Sequence, residues 1–108
     1  MNMYSDIQPS APAALDETEA LSLAELFRAL GDASRIRILT ALLEGEHNVG
    51  ELALQAAISE SAVSHHLRGL RLLRLVRADK RGRAVYYALA DDHVRDLLTQ
   101  GLDHVRHG

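Results

Sequence analysis

Four residues near the C-terminus, Asp91, His93, His104 and His107, belong to the types that ligate divalent metals, and cysteine is absent from all 108 residues. Without thiolates the strong ligands left are imidazole and carboxylate; three imidazoles and one carboxylate suit tetrahedral Zn(II), with Co(II) as a mimic. Their spacing carries a geometric condition. His93 and His104 stand eleven positions apart, about 16 Å along a helix axis. Metal–ligand bonds of about 2 Å cannot bring both to one ion within a single chain. Eleven residues is nevertheless close to three whole turns, so both histidines share a face, and His107 lies one turn beyond His104. Pairing two such helices antiparallel resolves the reach: Asp91 and His93 of one copy meet the partner's His104 and His107, giving two sites per symmetric dimer. Taken one at a time, each histidine reads as an ordinary surface residue, two of them well placed near a helix C-terminus.

A second set of residues has the chemistry of nucleic-acid contact. Ser61, Ser64, His65 and Arg68 follow the i, i+3, i+4, i+7 rule and form one helical stripe. Short hydroxyls, an imidazole and a guanidinium reach base edges and phosphates in a major groove. Arg81 and Arg83 lie in a basic segment beyond them. The formal net charge of −3 conceals this polarity. Residues 1–25 contain five acids and no Lys or Arg, whereas residues 60–85 contain seven basic residues against Glu60 and Asp79. Such clustering, rather than net charge, is the electrostatic footprint of DNA binding, although a charge run alone also describes a solvated helix face.

The elements that must position these residues follow from periodicity. Residues 1–15 hold both prolines and no periodic pattern, and are expected to form a flexible N-terminal arm. From Asp16, Leu23, Leu26, Phe27 and Leu30 recur at helical spacing up to Gly31. A second helix is expected over about 33–44, its buried stripe Ile36, Leu39, Leu42 and Leu43. Asn48 with Glu51 resembles a capping box opening a short third helix to about Ala57. Ile58 and Ser59 make a tight turn, and Ser59 caps a fourth helix over about 60–73 with Val63, Leu67 and Leu70 inward. Two short helices on so brief a turn read as helix-turn-helix. Leu75–Ala78 and Ala84–Leu89 then switch to β-branched and aromatic residues around a basic hairpin tip at residues 79–83. A last helix starts near residues 91–92; its Val94, Leu97, Leu98, Gly101, Leu102 and Val105 form an apolar arc suited to a dimer seam. The expected fold is mainly α with a small β-hairpin, a winged helix-turn-helix in the order α-α-α-α-β-β-α. Residues 16–108 form one domain whose helix at 91–107 serves dimerisation and sensing. No run of residues is long and apolar enough for a membrane span, and no secretory leader is visible, so a cytoplasmic location is expected.

Residues 24–107 resemble the ArsR/SmtB family of bacterial metal-responsive repressors. The resemblance rests on Leu30-Gly31-Asp32-Ala33-Ser34-Arg35-Ile36-Arg37-Ile38-Leu39, on Ser59-Glu60-Ser61-Ala62-Val63-Ser64-His65-His66-Leu67, and on Arg81-Gly82-Arg83 before Val85-Tyr86-Tyr87. It implies homodimers on partly palindromic operator DNA, with Ser61, Ser64 and His65 as operator contacts. The pattern Asp91-x-His93-x10-His104-x2-His107 resembles the C-terminal-helix sensing site of the zinc-, cobalt- and nickel-responsive members. Thiolate-using members carry cysteines where this chain has Asn48 and Gly50, which argues against arsenic, cadmium or lead. Nickel-responsive members recruit further ligands; the first 25 residues here hold no histidine, leaving the N-terminal amine and the Gly108 carboxylate as additional donors. Zinc is therefore placed ahead of nickel and cobalt. The resemblance also implies that His104, once bound to metal, hydrogen-bonds backbone near Arg74.

The expected function is thus a repressor that holds operator DNA as a metal-free homodimer and dissociates when Zn(II) binds between subunits. A zinc enzyme is the rival from another class, but four protein ligands leave no open position, and no base accompanies them. A third reading keeps the dimer and DNA binding but responds to something other than metal.

Overall fold

Side-chain caps start each α-helix among the described residues. The computed structural model describes residues 14–108, so the expected N-terminal arm falls, except for its last two residues, outside the described residues. Asp16 accepts a hydrogen bond from the Glu19 N–H at 2.7 Å, and Glu19 returns one from the Asp16 N–H; this capping box opens α1, Glu17–Leu30. Asp32 caps α2, Ala33–Ala41. A 3-10 turn over Leu42–Glu44 follows α2, where the sequence pattern had a single helix to Glu44; the chain tightens because Gly45, at φ +145°, ends it abruptly. Asn48 and Glu51 form the expected capping box for α3, Val49–Ala56. Ser59 caps α4, Glu60–Leu72.

The turn between α3 and α4 is made by Ala57 in the left-handed region, φ +58°. A residue with a Cβ takes that conformation only when packing on both sides demands it. Here Leu52 and Ala56 on one helix and Val63 and Leu67 on the other are fully buried, and they fix the helices close together.

Strands β1, Val76–Arg81, and β2, Ala84–Leu89, pair antiparallel from Val76↔Leu89 to Arg81↔Ala84. Pairing therefore extends through Asp79, Lys80 and Arg81, which sequence placed in the loop. Gly82 at φ +61° takes the first place of a two-residue turn, a conformation that favours glycine. His47 adds a one-residue bridge to Tyr87, with His47 N–H to Tyr87 O at 3.0 Å and Tyr87 N–H to His47 O at 2.8 Å.

Helix α5, Asp92–His107, is capped by Asp91 and closes the chain. The core joins Ile38, Leu39, Leu42, Leu52, Val63, Leu67 and Leu70, all nearly inaccessible, with Leu75, Val76, Leu89, Val94 and Leu98. Within α2 the inward residues are Ile38, Leu39 and Ala41, while the expected Ile36 sits only half-buried. Helix α1 behaves differently from its apolar pattern: only Ala29 is buried, and Leu23 and Phe27 stay exposed.

Candidate DNA interface and metal-ligating helix

Helix α4 is locked by its inner face. Val63, Leu67 and Leu70 are buried, so helical phase turns Ser61, Ser64, His65 and Arg68 outward, and all four are exposed. The expected stripe is a real surface feature. Arg71, Arg74 and Arg77 are also exposed and continue the basic belt towards the hairpin.

The two arginines at the hairpin tip, Arg81 and Arg83, differ sharply. Arg81 lies in β1, where its guanidinium donates to Glu46 Oε2 at 2.9 Å and to Asp79 Oδ2 at 3.0 Å and covers the Tyr86 ring at 5.0 Å. Hydrogen bonding to Glu46, then to Asp79, raises its pKa above the usual guanidinium value. Arg83 sits in the turn, exposed, and has no carboxylate partner among the described residues.

Two histidines that the sequence did not single out hold polar links. His47 Nδ1 lies 3.2 Å from Glu51 Oε1. The backbone N–H of Asn48, and then His47, hold the Glu51 carboxyl below its ordinary range. His66 Nδ1 accepts from Arg35 Nε at 3.1 Å across a sequence gap of 31 residues. His47 and Glu51 stand at i, i+4 spacing, whereas Arg35 and His66 share no periodic pattern, so spacing alone gave no signal for that second pair. Asp32, the cap of α2, is likewise lowered, chiefly by the Arg35 N–H.

At the start of α5, Asp91 Oδ1 accepts from the Val94 N–H at 3.0 Å, which fixes the direction of the carboxylate. His93 Nδ1 lies 3.7 Å from the same oxygen, and the His93 side chain is 97% exposed. His107 stands in the last turn, 4.0 Å from Asp103, and His104 is exposed one turn earlier. Asp91 and His93 therefore come together, and His104 and His107 share the far end of the helix. No three His, Cys, Asp or Glu residues among the described ones converge within one chain. The donor set of imidazoles and a carboxylate fits a divalent metal such as Zn(II), with its halves at opposite ends of one helix.

Along α5, Phe27, Leu30, Ile36, Leu97, Leu102 and Val105 line an open apolar groove between α1, α2 and α5. Arg95 Nη1 donates to the Leu43 carbonyl at 3.0 Å and fastens α5 to the 3-10 turn after α2.

Helix, turn, outward polar helix and hairpin define a winged-helix DNA-binding domain. The chain belongs to the arsR family of bacterial regulatory proteins, whose match covers residues 32–78. It is 46% identical over 95 residues to a transcriptional repressor SmtB homolog of Synechocystis sp., spanning 88% of this chain and 72% of that protein. It is 44% identical over 100 residues to the HTH-type transcriptional regulator NmtR of Mycobacterium tuberculosis, covering 93% and 82%. The solution structure of apo-NmtR superposes with a TM-score of 0.74 over 94% of this chain and 83% of that one. A homodimeric winged helix-turn-helix DNA-binding domain from Mycobacterium bovis, 27% identical, gives a TM-score of 0.74 over 91% and 96%. These relatives are regulators of transcription. No helix of the described residues is long and apolar enough to cross a membrane.

Proposed function

We propose that this protein is a metal-responsive transcriptional repressor that binds operator DNA as a homodimer and releases it when Zn(II) binds between subunits. Asp91 and His93 of one protomer and the partner's His104 and His107 would hold the ion. The observation that carries this reading is the split donor set: Asp91 and His93 converge at the start of α5, exposed, while the complementary pair sits about 16 Å away along the same helix. When bound, the metal supplies a coordinate link between the two α5 helices.

The chain's own residues do the rest. Ser61, Ser64, His65 and Arg68 enter the major groove on an exposed helix face, and Arg83 approaches the neighbouring backbone from the wing. Arg81 contributes less, because Glu46 and Asp79 engage its charge. Two recognition helices in a symmetric dimer address half-sites about 34 Å apart. The apolar groove beside α5 is the natural seam, so the ligands and the dimer contact lie on the same helices. By linkage, the factor by which the closed ligand set lowers operator affinity is the factor by which operator DNA lowers metal affinity.

A mobility-shift titration tests the proposal, using a duplex selected from a random library on the metal-free protein. Binding without metal and release on adding Zn(II) are expected. Zinc-indifferent binding would overturn the sensing half, and failure to select any duplex would overturn the whole. The visible spectrum of the Co(II) form reads the ligand set: intense d–d bands are expected for four-coordination, and weak bands would move the assignment to six-coordinate Ni(II) or Co(II).

A further inference from the structure

Among the described residues, one side-chain hydrogen bond joins the recognition helix to another helix: Arg35 Nε to His66 Nδ1, 3.1 Å. Its chemistry is unusually constrained. Guanidinium is a donor only and stays charged throughout the physiological range. The imidazole nitrogen facing it must therefore offer a lone pair, so the ring is neutral and its proton is on Nε2. A protonated ring would turn an N–H towards an N–H, and the bond would be lost.

The helix beneath Arg35 is built to receive it. Gly69 lies one turn after His66, and a Cβ there would stand 3.1 Å from Arg35 Nη2. Glycine weakens a helix interior relative to alanine, and the guanidinium lying over that spot gives the position a purpose. The groups around the pair are known from each side. Asp32, the cap of α2, lies near enough for its charge to couple with the His66 ring. Glu25 and Arg28 of α1 line the groove that Arg35 and Gly69 share. The His65 ring, on the same helix, is 6.0 Å away.

We propose that His66 is a positioning residue for DNA binding: the neutral ring is clamped by Arg35 over Gly69, tying the start of α2 to the recognition helix, and protonation of His66 releases the clamp. His66 is half-buried beside the exposed His65, so it orients the stripe without belonging to it. The consequence is a proton-sensitive component of operator affinity that is separate from any metal response. It rests on DNA binding through α4, as proposed above.

Two measurements test it, and the first needs no DNA. In 15N-histidine NMR of the full chain at about pH 8, His66 should show the Nε2–H tautomer with Nδ1 unprotonated; the opposite tautomer would overturn the clamp. The second compares the wild type with His66→Asn, whose Oδ1 falls near the Nδ1 position and does not titrate, and with His66→Ala. Fluorescence anisotropy with a duplex selected from a random library is read from about pH 8 to about pH 5, the range of imidazole titration. At the upper limit His66→Asn should bind like wild type, while His66→Ala and Gly69→Ala bind about three- to tenfold more weakly, the size of one hydrogen bond. On acidification the wild type should weaken relative to His66→Asn by a similar factor, and a His65→Gln background should leave that difference in place. A wild-type to His66→Asn ratio that is constant with pH, or one abolished by His65→Gln, would overturn the proposal. If no duplex can be selected, the DNA-binding reading fails while the NMR result still decides the clamp.

Discussion

Arg81 Nη2 donates to Glu46 Oε2 at 2.9 Å, so the strand end beside the wing's turn carries an arginine whose charge is engaged by the segment just before α3. Arg83, two residues on, has no such partner among the described residues. Each phosphate contact contributes about 0.9 to the slope of log affinity against log salt. Arg83→Ala should therefore flatten that slope by about 1.8 for a dimer with two wings. Arg81→Ala should change it by less than half as much, and Glu46→Gln should strengthen low-salt binding. Anisotropy titrations over a salt series check all three; equal slopes for the two arginine variants would contradict the structure.

The apolar groove between α1 and α5 predicts where the dimer can be broken. Val105 is 82% exposed and Phe27 53% exposed in the single chain, although both sit on faces with helical apolar spacing. Burying a valine contributes about 1.5–3 kcal/mol and occurs twice across a symmetric seam. Val105→Lys should raise the dimer dissociation constant at least about 100-fold. Sedimentation velocity measures this, and an unchanged far-UV circular dichroism spectrum shows that the protomer still folds. A dimer as tight as wild type would place the seam elsewhere.

Much of this architecture was legible because it rests on local chemistry. Ser59 and the Asn48–Glu51 box announce α4 and α3, and Val63, Leu67 and Leu70 fall inward as their spacing requires. What could not be read depends on contacts distant in sequence. Ala57 is a good helix former, and only the packing of α3 against α4 forces it into a left-handed turn. The His47–Tyr87 bridge and the Arg35–His66 bond join positions with no shared period. Ion pairing of Arg81 by Glu46, 35 residues away, likewise left no trace in local composition. On α1 the pattern was right about amphipathicity, but its apolar face meets solvent in the single chain. Asp91, His93, His104 and His107, the ligand set proposed above, stand out by type and spacing because one straight helix preserves sequence distance.

The helix caps predict the response to acid. Backbone N–H groups, from Asn48 at Glu51 and from Arg35 at Asp32, hold both carboxyls below their ordinary values of 4.5 and 3.8. A carboxyl with a lower pKa in the folded chain stabilises it fully above the unfolded value, and the contribution disappears as pH falls through the folded one. Thermal midpoints should therefore hold down to about pH 5 and decline towards pH 3. Glu51→Gln combined with Asp32→Asn keeps the caps without the titration and should make that decline shallower. Both groups are exposed, so the effect is modest. Asn48→Ala, by contrast, should cost about 1 kcal/mol at every pH. An acid decline as steep in the double variant as in wild type would assign it to other groups.

The split ligand set makes its own prediction about subunits. If Asp91 and His93 work with the partner's His104 and His107, neither half can bind tightly alone. A protomer carrying Asp91→Ala and His93→Ala should form homodimers without a tight site, as should one carrying His104→Ala and His107→Ala. Mixing the two allows heterodimers in which one interface has all four wild-type ligands and the other has none. Tight Co(II) binding should then return at one site per heterodimer, with the intense visible bands of a four-coordinate ion. Zinc-driven release of DNA by that heterodimer would show whether one link suffices. Because helix geometry keeps His93 and His104 about 16 Å apart, no rearrangement within a straight α5 can imitate the result, and a mixture as inert as its parents would mean that the ion binds within one protomer or elsewhere.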